Sequence, residues 1–202
     1  MFENTILLLP SYGGMYDKHV LSLSSVNCEA RHVFGAPIDQ ARSYLIQVAL
    51  QTEKDVFVFV DADISFEPND LERLVADCDR TKAIVSGIYT LKNGTNKIVA
   101  HAPNPEVTPD GLIKAEMIGM GFCAIHREAI NTIAQSMERV GLARPSEMVA
   151  VFPFFLPMLH NKMWIGEDFA FCVRANAASV PIYLNHDILV THWGLQGYKL
   201  QK

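Results

Sequence analysis

The segment Asp55-Val-Phe-Val-Phe-Val60 restricts the fold of this chain more than any other part of the sequence. It is a short run of β-branched and aromatic residues, which is typical of a strand buried on both faces of a sheet. Other strand-like runs alternate with helical patterns, at residues 5–9, 15–25, 30–34, 39–49, 68–75 and 83–89. Because the two kinds of segment alternate, the sequence predicts an α/β fold in which helices pack on a mostly parallel sheet.

Strand-like runs cluster in the second half of the chain, so the predicted sheet is mixed rather than purely parallel. These runs, and two helical patterns among them, lie at residues 112–118, 121–125, 127–140, 167–178, 182–184 and 188–191. Turn-forming pairs such as Asn93-Gly94 predict hairpins and loops over residues 92–111. Residues 141–166 are predicted to form a long connection, and loops of that length inside a compact domain are usually functional.

The composition limits the classes of partner. There are 17 Lys and Arg against 22 Asp and Glu. This acidic balance argues against a protein that binds bare duplex DNA, although it does not exclude a local basic groove. The four cysteines lie far apart without a paired Cys or His, which indicates free thiols in a reducing compartment. The apolar stretch Met148–Leu159 is interrupted by two prolines, so we expect no membrane span and a cytoplasmic protein.

Two aspartates follow the central strand directly, in the sequence Asp61-Ala62-Asp63. Ligands of open α/β sheets bind at the carboxyl ends of the strands, and two carboxylates in such a loop can converge on a hard divalent cation. Chance produces this spacing readily, and the chain contains a second pair, Asp77-Cys78-Asp79. The second pair falls on the polar end of a predicted helix, where solvated side chains explain it. The first pair is therefore the candidate metal site.

Further motifs accompany the first aspartate pair in a fixed order. They are Ala41-Arg42, Val58-Phe-Val-Asp61-Ala-Asp63, Ser86-Gly87-Ile-Tyr89, Gly119-Met-Gly121, Gly166-Glu167-Asp168 and His192-Trp-Gly194. Together they resemble glycosyltransferases of the GT-A fold, of the family 2-like type, over nearly the whole chain. The resemblance implies a single GT-A domain, an α/β/α sandwich with a mixed, mostly parallel central sheet. Its donor-binding half would cover about residues 1–100 and its acceptor-side half about residues 101–202.

The resemblance also implies a metal shell for Mn²⁺ or Mg²⁺. Asp63 would bind the ion that bridges the diphosphate of a nucleotide-sugar, and Asp61 would join the shell through a metal-bound water or contact the ribose. His192 would be a third protein ligand, and an imidazole beside carboxylate oxygens favours Mn²⁺. A departing diphosphate needs its charge neutralised, which a cation supplies.

Donor contacts follow from the same resemblance. Pro10, Ser11 and Tyr12 would line the nucleobase and the ribose, and Arg42 would reach the diphosphate or the loop of the first aspartate pair. Lys92 stands beside a Gly-containing turn and could close over phosphate, although a solvated lysine fits the same turn composition. Uridine is the expected base because the resembling family uses it most.

The second carboxylate pair, Glu167-Asp168, would carry the chemical step. In inverting members of the resembling family the corresponding aspartate takes the proton from the acceptor hydroxyl. Asp168 is therefore the predicted general base, and Glu167 would orient the acceptor or the base. Acidic residues also favour the first turn of a helix through its dipole, which explains the pair without catalysis. A retaining enzyme would not use Asp168 in this way, and the sequence leaves the stereochemistry open.

The acceptor is open as well. The chain has neither the appended acceptor domain nor the membrane helices of larger relatives, so a glycan end, a protein side chain or a hydroxymethylated base in phage DNA would suit a compact hexosyl- or pentosyltransferase. Compact transferases of this look are frequent in phages, which would place the enzyme in host cytoplasm. Aromatic residues flank the predicted connection at Phe152, Phe154, Phe155 and Trp164. They could stack on a sugar or base, act as a lid, pack on the sheet, or form a homodimer contact.

Two other functions compete with this one. A nucleotidyltransferase also binds a nucleotide and a metal, but Pro10–Gly14 holds no Arg or Lys where that class has a basic loop. A non-catalytic nucleotide-sugar-binding subunit with a decayed site would not be expected to keep the candidate carboxylates together with His192.

Overall fold

The computed structural model describes residues 2–144, 147–194 and 196–200. The described first half contains β1 (Thr5–Ser11), α1 (Asp17–Ser24), β2 (Glu29–Phe34), α2 (Ile38–Ala49), β3 (Val56–Val60), β4 (Ile64–Ser65), α3 (Pro68–Asp77), β5 (Ile84–Ile88) and β6 (Ala100–His101). The described second half contains β7 (Leu112–Lys114), β8 (Met117–Ile118), β9 (Phe122–His126), α4 (Arg127–Ala134), β10 (Val140–Arg144), β11 (Glu147–Val151), β12 (Met158–His160), β13 (Met163–Ile165), α5 (Glu167–Ala177), β14 (Ile182–Leu189), β15 (Thr191–Trp193) and β16 (Gly197–Tyr198). None of the described helices is long and apolar enough to cross a membrane.

The central sheet has seven strands within the described residues, in the order β2-β1-β3-β9-β5-β14-β7. Strands β2, β1, β3, β5 and β14 run in one direction, and β9 and β7 run against them. The predicted α/β fold with a mixed, mostly parallel sheet is confirmed. Strand β3 lies between β1 and β9 and is buried at each of its five positions, as its sequence predicts.

Successive side chains of β3 enter two different cores. Phe57 and Phe59 pack with Leu45 of α2 on one face, and Val58 and Val60 pack against α3 on the other. This alternation is the period of two that a strand imposes on its side chains. Helices therefore cover both faces of the sheet and bury β3 completely, which leaves the ends of its strands as the places where ligands can enter.

Helix α3 begins where its sequence indicates. Pro68 occupies its first turn, and the N–H of Glu67 donates to the Asp70 carboxylate at 3.0 Å in a capping box. Helix α2 begins at Ile38, one residue before the predicted start at residue 39, because Pro37 occupies the N-cap position. Helix α4 ends at Ala134, short of the predicted end at residue 140, because the next amides turn back to carbonyls three residues earlier.

The predicted long connection over residues 141–166 is wrong. Two antiparallel hairpins occupy it, β10 with β11 and β12 with β13. The tight turn of the second hairpin, Asn161-Lys162, has positive φ at both residues, a geometry usually marked by Asn-Gly. Phe154 and Phe155, between the hairpins, are buried in the core, which settles packing on the sheet as their role. Trp164 on β13 is 77% exposed.

The predicted strands at residues 182–184 and 188–191 correspond to one longer strand, β14, and to the first residue of β15. Strand β14 runs through Leu189 with an irregularity after Leu184. Strand β15 then pairs antiparallel with β4, so that His192 lies opposite Ile64. This short pairing brings the predicted motif His192-Trp193-Gly194 beside the aspartate pair Asp61-Ala62-Asp63.

Candidate active site

A cavity of about 880 Å³ opens at the carboxyl ends of the central strands. Its size is that of a pocket for a nucleotide-sized ligand. Its lining comes from the end of β1 and the loop after it, the start of α1, α2, the aspartate pair after β3, the residue after β5, the first turn of α5 and β15. The polar or aromatic side chains of this lining are Ser11, Tyr12, Tyr16, Asp17, Arg42, Asp61, Asp63, Tyr89, Glu167, Asp168 and His192. The sequence predicted most of these residues separately, and the fold brings them to one wall.

The carboxylate of Asp63 contacts the ammonium of Lys92 and faces the imidazole of His192. Its Oδ1 lies 3.6 Å from Nε2 of His192, and its Oδ2 is paired with the ammonium of Lys92. The backbone closes the same contact, because Trp193 donates its N–H to the Asp63 carbonyl at 2.7 Å. Burial alone would raise the pKa of Asp63, but His192 and Lys92 outweigh it and lower that pKa to about 2.

The orientation of His192 is fixed by a carbonyl. Nδ1 lies 2.8 Å from the carbonyl oxygen of Thr90, which can only accept, so Nδ1 carries the proton. In the neutral ring Nε2 then presents its lone pair to Oδ1 of Asp63, an oxygen that is buried and makes no hydrogen bond. A carbonyl behind the imidazole is the usual support of a metal-binding histidine. The pair therefore fits a divalent cation.

Asp61 points elsewhere. Its Oδ2 accepts a hydrogen bond from Nη2 of Arg42 at 3.1 Å, and its Oδ1 lies 3.1 Å from Nη1 as an ion pair without a hydrogen bond. Among the described residues no group of three or more His, Cys, Asp or Glu is arranged to hold a metal ion. Arg42 holds the carboxylate of Asp61, so of the three residues expected around the metal, Asp63 and His192 are the two whose side chains face each other.

Arg42 also contacts the second carboxylate pair. Its Nη2 lies 3.3 Å from Oδ1 of Asp168, and the side chain of Arg42 is 2% exposed while that of Asp168 is 21% exposed. Oδ2 of Asp168 accepts the N–H of Met120 at 3.0 Å. Burial raises the pKa of Asp168 to about 6, helped by Glu167 and Asp61 and opposed by Arg42 and the Met120 amide. A carboxyl group with such a pKa can exchange a proton near neutrality.

The loop Gly119-Met120-Gly121 packs tightly behind these carboxylates. The N–H of Asp61 donates to the Gly121 carbonyl at 2.9 Å, and the N–H of Gly121 donates to the hydroxyl of Tyr89 at 2.8 Å. A Cβ at Gly119 would lie 2.1 Å from that hydroxyl oxygen. The glycine at 119 is thus required by the close approach of the Tyr89 ring.

Helix α1 holds the aspartate pair from outside. The N–H of Tyr16 donates to the Ala62 carbonyl at 3.0 Å, and Nδ1 of His19 donates to the Ile64 carbonyl at 3.0 Å. Ser22 then accepts the N–H of Phe66 at 2.9 Å. No local pattern in the sequence indicated this role of His19, because a lone histidine on a helix has no second residue at a recognisable spacing.

The remaining residues that were predicted to bind the donor do not all line the cavity. Pro10, Ser11 and Tyr12 line the cavity, and Tyr12 is 75% exposed at its mouth. Nε2 of His32 lies 2.9 Å from the hydroxyl of Ser11, a pairing that sequence analysis missed. Lys92 is absent from the described lining and makes its contact with Asp63 instead of facing the cavity.

The second aspartate pair, predicted to be solvated at a helix end, makes structural hydrogen bonds. Half-buried Asp77 accepts a hydrogen bond from Asn185 at 2.6 Å. Asp79 accepts from the Thr81 hydroxyl at 2.6 Å and from the amides of Lys82 and Thr81 in a surface turn, and these bonds lower its pKa to about 2.

The similarity of this chain to known proteins is found among solved structures. No family model matches the chain, and no curated protein matches it. Among solved structures, the protein A197 from STIV superposes with a TM-score of 0.67 and 18% identity, over 95% of this chain and 86% of that one. The similarity to A197 is one of fold.

Two glycosyltransferases superpose more loosely. One is involved in the glycosylation of the major capsid of PBCV-1, with a TM-score of 0.38 and 14% identity over 63% of this chain and 62% of that one. The other is a mutant of Drosophila β-1,4-galactosyltransferase 7 in complex with manganese, UDP-Gal and xylobiose, with a TM-score of 0.47 and 13% identity over 92% of this chain and 66% of that one.

Proposed function

We propose that this protein is a GT-A glycosyltransferase that uses a divalent cation to move a sugar from a nucleoside-diphosphate sugar to a hydroxyl acceptor. The charge of the cavity carries the proposal. Among the described residues of its lining, five are carboxylates and one is an arginine, and that arginine is already paired with two of the carboxylates. A diphosphate could enter such a cavity only together with positive charge.

Asp63 and His192 would hold the cation. Their facing atoms, Oδ1 and Nε2, are both electron-rich and lie 3.6 Å apart. Oxygens of the ligand would complete the shell, and one imidazole beside carboxylate oxygen favours Mn²⁺ over Mg²⁺. When bound, the cation neutralises charge that builds up on the departing diphosphate.

The loop after β1 would bind the nucleoside. Pro10, Ser11 and Tyr12 line the cavity, and the exposed Tyr12 ring can stack on a base while Ser11, supported by His32, offers a hydroxyl. We expect uridine as the base. Both the sugar, a hexose or a pentose, and the acceptor, a glycan, protein or modified DNA hydroxyl, would be set by neighbouring surfaces.

Asp168 would act as the general base. Its carboxylate is partly exposed to the cavity and is held by Arg42 and the Met120 amide. The acceptor oxygen forms a bond to the anomeric carbon as its proton passes to Asp168, and the bond from that carbon to the phosphate oxygen breaks with its electron pair on the diphosphate. Attack from the side opposite the leaving group inverts the anomeric centre. Glu167, in the same helical turn, would orient the acceptor.

The test is a binding and turnover panel of UDP-, GDP- and CDP-sugars with Mn²⁺, Mg²⁺ or EDTA. We expect one nucleotide to raise the melting temperature only with a divalent cation, since ligands that bind the native state stabilise it. Asp63→Asn should abolish that increase, whereas Asp77→Asn, in the structural aspartate pair, should preserve it. A shift that is equal in EDTA and Mn²⁺ would contradict the proposal.

Product analysis separates the competing functions. A glycosyltransferase releases a nucleoside diphosphate from the donor, whereas a nucleotidyltransferase that makes nucleotide-sugars releases pyrophosphate from a nucleoside triphosphate. A non-catalytic subunit would bind the nucleotide-sugar without releasing either product in the presence of any acceptor.

A further inference from the structure

Arg42 packs against two aromatic rings that contact each other edge to face. Its guanidinium carbon is 5.3 Å from the ring centroid of Phe59 and 5.9 Å from that of Phe155, and the two centroids are 5.4 Å apart. Phe155 in turn stacks on Phe171 of α5, with 4.7 Å between centroids and an interplanar angle of 7°. This aromatic cluster therefore connects α2, β3 and the helix that carries Asp168.

The two terminal nitrogens of the same guanidinium are occupied. Nη1 and Nη2 each lie 3.1 Å from an oxygen of Asp61, Nη2 lies 3.3 Å from Oδ1 of Asp168, and Nη1 donates to the Met120 carbonyl at 3.4 Å. Arg42 is 1% exposed, and its buried Nε has no hydrogen-bond partner. A diphosphate could reach the terminal nitrogens only by breaking these contacts, which would leave two carboxylates without their cation.

We propose that Arg42 is a positioning residue that binds no donor phosphate and instead fixes the Asp168 carboxylate relative to Asp61. This inference rests on the proposed function, because it assigns Asp168 to the acceptor step and the Asp61 loop to the donor step. One planar cation then sets the relation between the two sides of the reaction. The Met120 peptide repeats the link, since its N–H donates to Asp168 and its carbonyl accepts from Arg42.

The geometry requires arginine rather than any cation. Only a planar fork can place one nitrogen near each oxygen of Asp61 and keep an edge for Asp168 while it packs on the Phe59 and Phe155 rings. Lysine would keep one positive charge but would lose the second nitrogen and the contact of a flat group with the rings. Arg42→Lys is for this reason the informative substitution.

The test compares Arg42→Lys and Arg42→Met with Arg127→Lys as the matched control. Arg127 is also stacked on a β3 phenylalanine, 5.1 Å from the Phe57 centroid, and it donates to backbone carbonyls such as that of Lys54 at the opposite end of the strand. Turnover and the binding of nucleoside diphosphate with Mn²⁺ are measured for each variant. Arg42→Lys should lower kcat by about 100-fold, as a displaced reacting group does, and should weaken nucleotide binding much less.

The pH profile adds a readout that a structural role would not move. Without Arg42, the titratable groups that face Asp168 among the described residues are Asp61, Glu167, Tyr89, Cys123 and Cys172, none of which supplies a positive charge. The acid limb of kcat should therefore move to higher pH in Arg42→Met and stay in place in Arg127→Lys. A limb that does not move in Arg42→Met would overturn the inference.

Other outcomes distinguish this inference from the proposed function. If Arg42→Lys weakens nucleotide binding as much as it lowers kcat, or keeps the kcat of the unmodified protein, Arg42 is not a positioning residue. If the unmodified protein binds no nucleotide-sugar with any cation, the proposed function fails first. In that case the interaction between Arg42 and Asp168 is tested by melting temperatures. The decrease in melting temperature caused by Arg42→Met should be smaller in an Asp168→Asn background. Equal decreases in both backgrounds would overturn the interaction.

Discussion

Nε2 of His192 and Oδ1 of Asp63 face each other across 3.6 Å, and backbone groups hold both partners there. The carbonyl of Thr90 takes the Nδ1 proton of His192, and the carbonyl of Asp63 accepts the N–H of Trp193. The imidazole cannot turn away without losing the Thr90 carbonyl, and the carboxylate cannot turn away without losing the ammonium of Lys92. Two electron-rich atoms in this arrangement are stabilised by a positive charge, whether it comes from a proton or from a bound cation.

Removal of the imidazole should weaken cation binding. His192→Ala leaves Asp63 with no second protein ligand, and we expect Mn²⁺ affinity in the presence of nucleoside diphosphate to fall about 10- to 100-fold. Calorimetric titration with Mn²⁺ measures the change. His186→Ala is the control, since His186 is exposed on β14 and contacts only the Gly111 carbonyl and Asp187. Equal titrations for His192→Ala and the unmodified protein would remove His192 from the metal shell.

Asp168→Asn should remove the general base. We expect kcat to fall by about 10²- to 10⁴-fold, with donor affinity nearly unchanged. In the unmodified protein the carboxyl has a pKa of about 6, so it is protonated and inactive at lower pH. Turnover should therefore decline as the pH falls below this value. A flat kcat profile between pH 5 and pH 8 would contradict the assignment of Asp168 as base.

The same substitution should stabilise the folded protein at neutral pH. The pKa of Asp168 is about 6 in the folded state against an ordinary value of 3.8, so ionising it costs the folded state free energy as the pH rises through this window. Asp168→Asn removes the cost and should raise the free energy of unfolding at pH 7.5 by on the order of 1–3 kcal/mol, with a smaller gain near pH 4. Urea denaturation at the two pH values measures it. Asp187→Asn, on an exposed carboxylate, should change neither value.

Gly119→Ala should be among the most damaging small substitutions. The new Cβ would lie 2.1 Å from the Tyr89 hydroxyl oxygen, and both are held by buried surroundings, so a loss of on the order of 2–4 kcal/mol is expected. Adding Tyr89→Phe removes the oxygen and should restore part of the loss. Gly13→Ala has no atom within 4 Å of its Cβ and should leave the melting temperature nearly unchanged. A tolerated Gly119→Ala would mean that the loop is not fixed by this contact.

The local features of the site were predictable from the sequence. Strand β3, the aspartate pair that follows it and the acidic start of α5 each depend on neighbouring residues, and hydrophobic patterning identifies them. The role of Arg42 was only half visible: its contact with the Asp61 loop was expected, but its contact with Asp168 depends on how α5 packs against Phe155. No local pattern encodes that packing.

The hairpins at residues 140–165 show another limit. Pairing of β12 with β13 depends on a turn at Asn161-Lys162 with positive φ, and lysine in such a position carries no turn signal. The partner of Lys92 was not predictable for a similar reason. The turn beside Lys92 was recognised, but Asp63 precedes β5 in the chain and Lys92 follows it, so the two side chains meet only in the folded sheet.

The pairing of β15 with β4 has a consequence for the order in which the molecule becomes competent. Ile64 belongs to the early α/β part of the chain, whereas His192 arrives on one of the last strands that the structure describes. Closing so long a loop is entropically costly and comes late when local contacts form first. A chain emerging from the ribosome would thus form β1, β2 and β3 before His192 reaches Asp63, and the proposed cation site would be completed only after those strands.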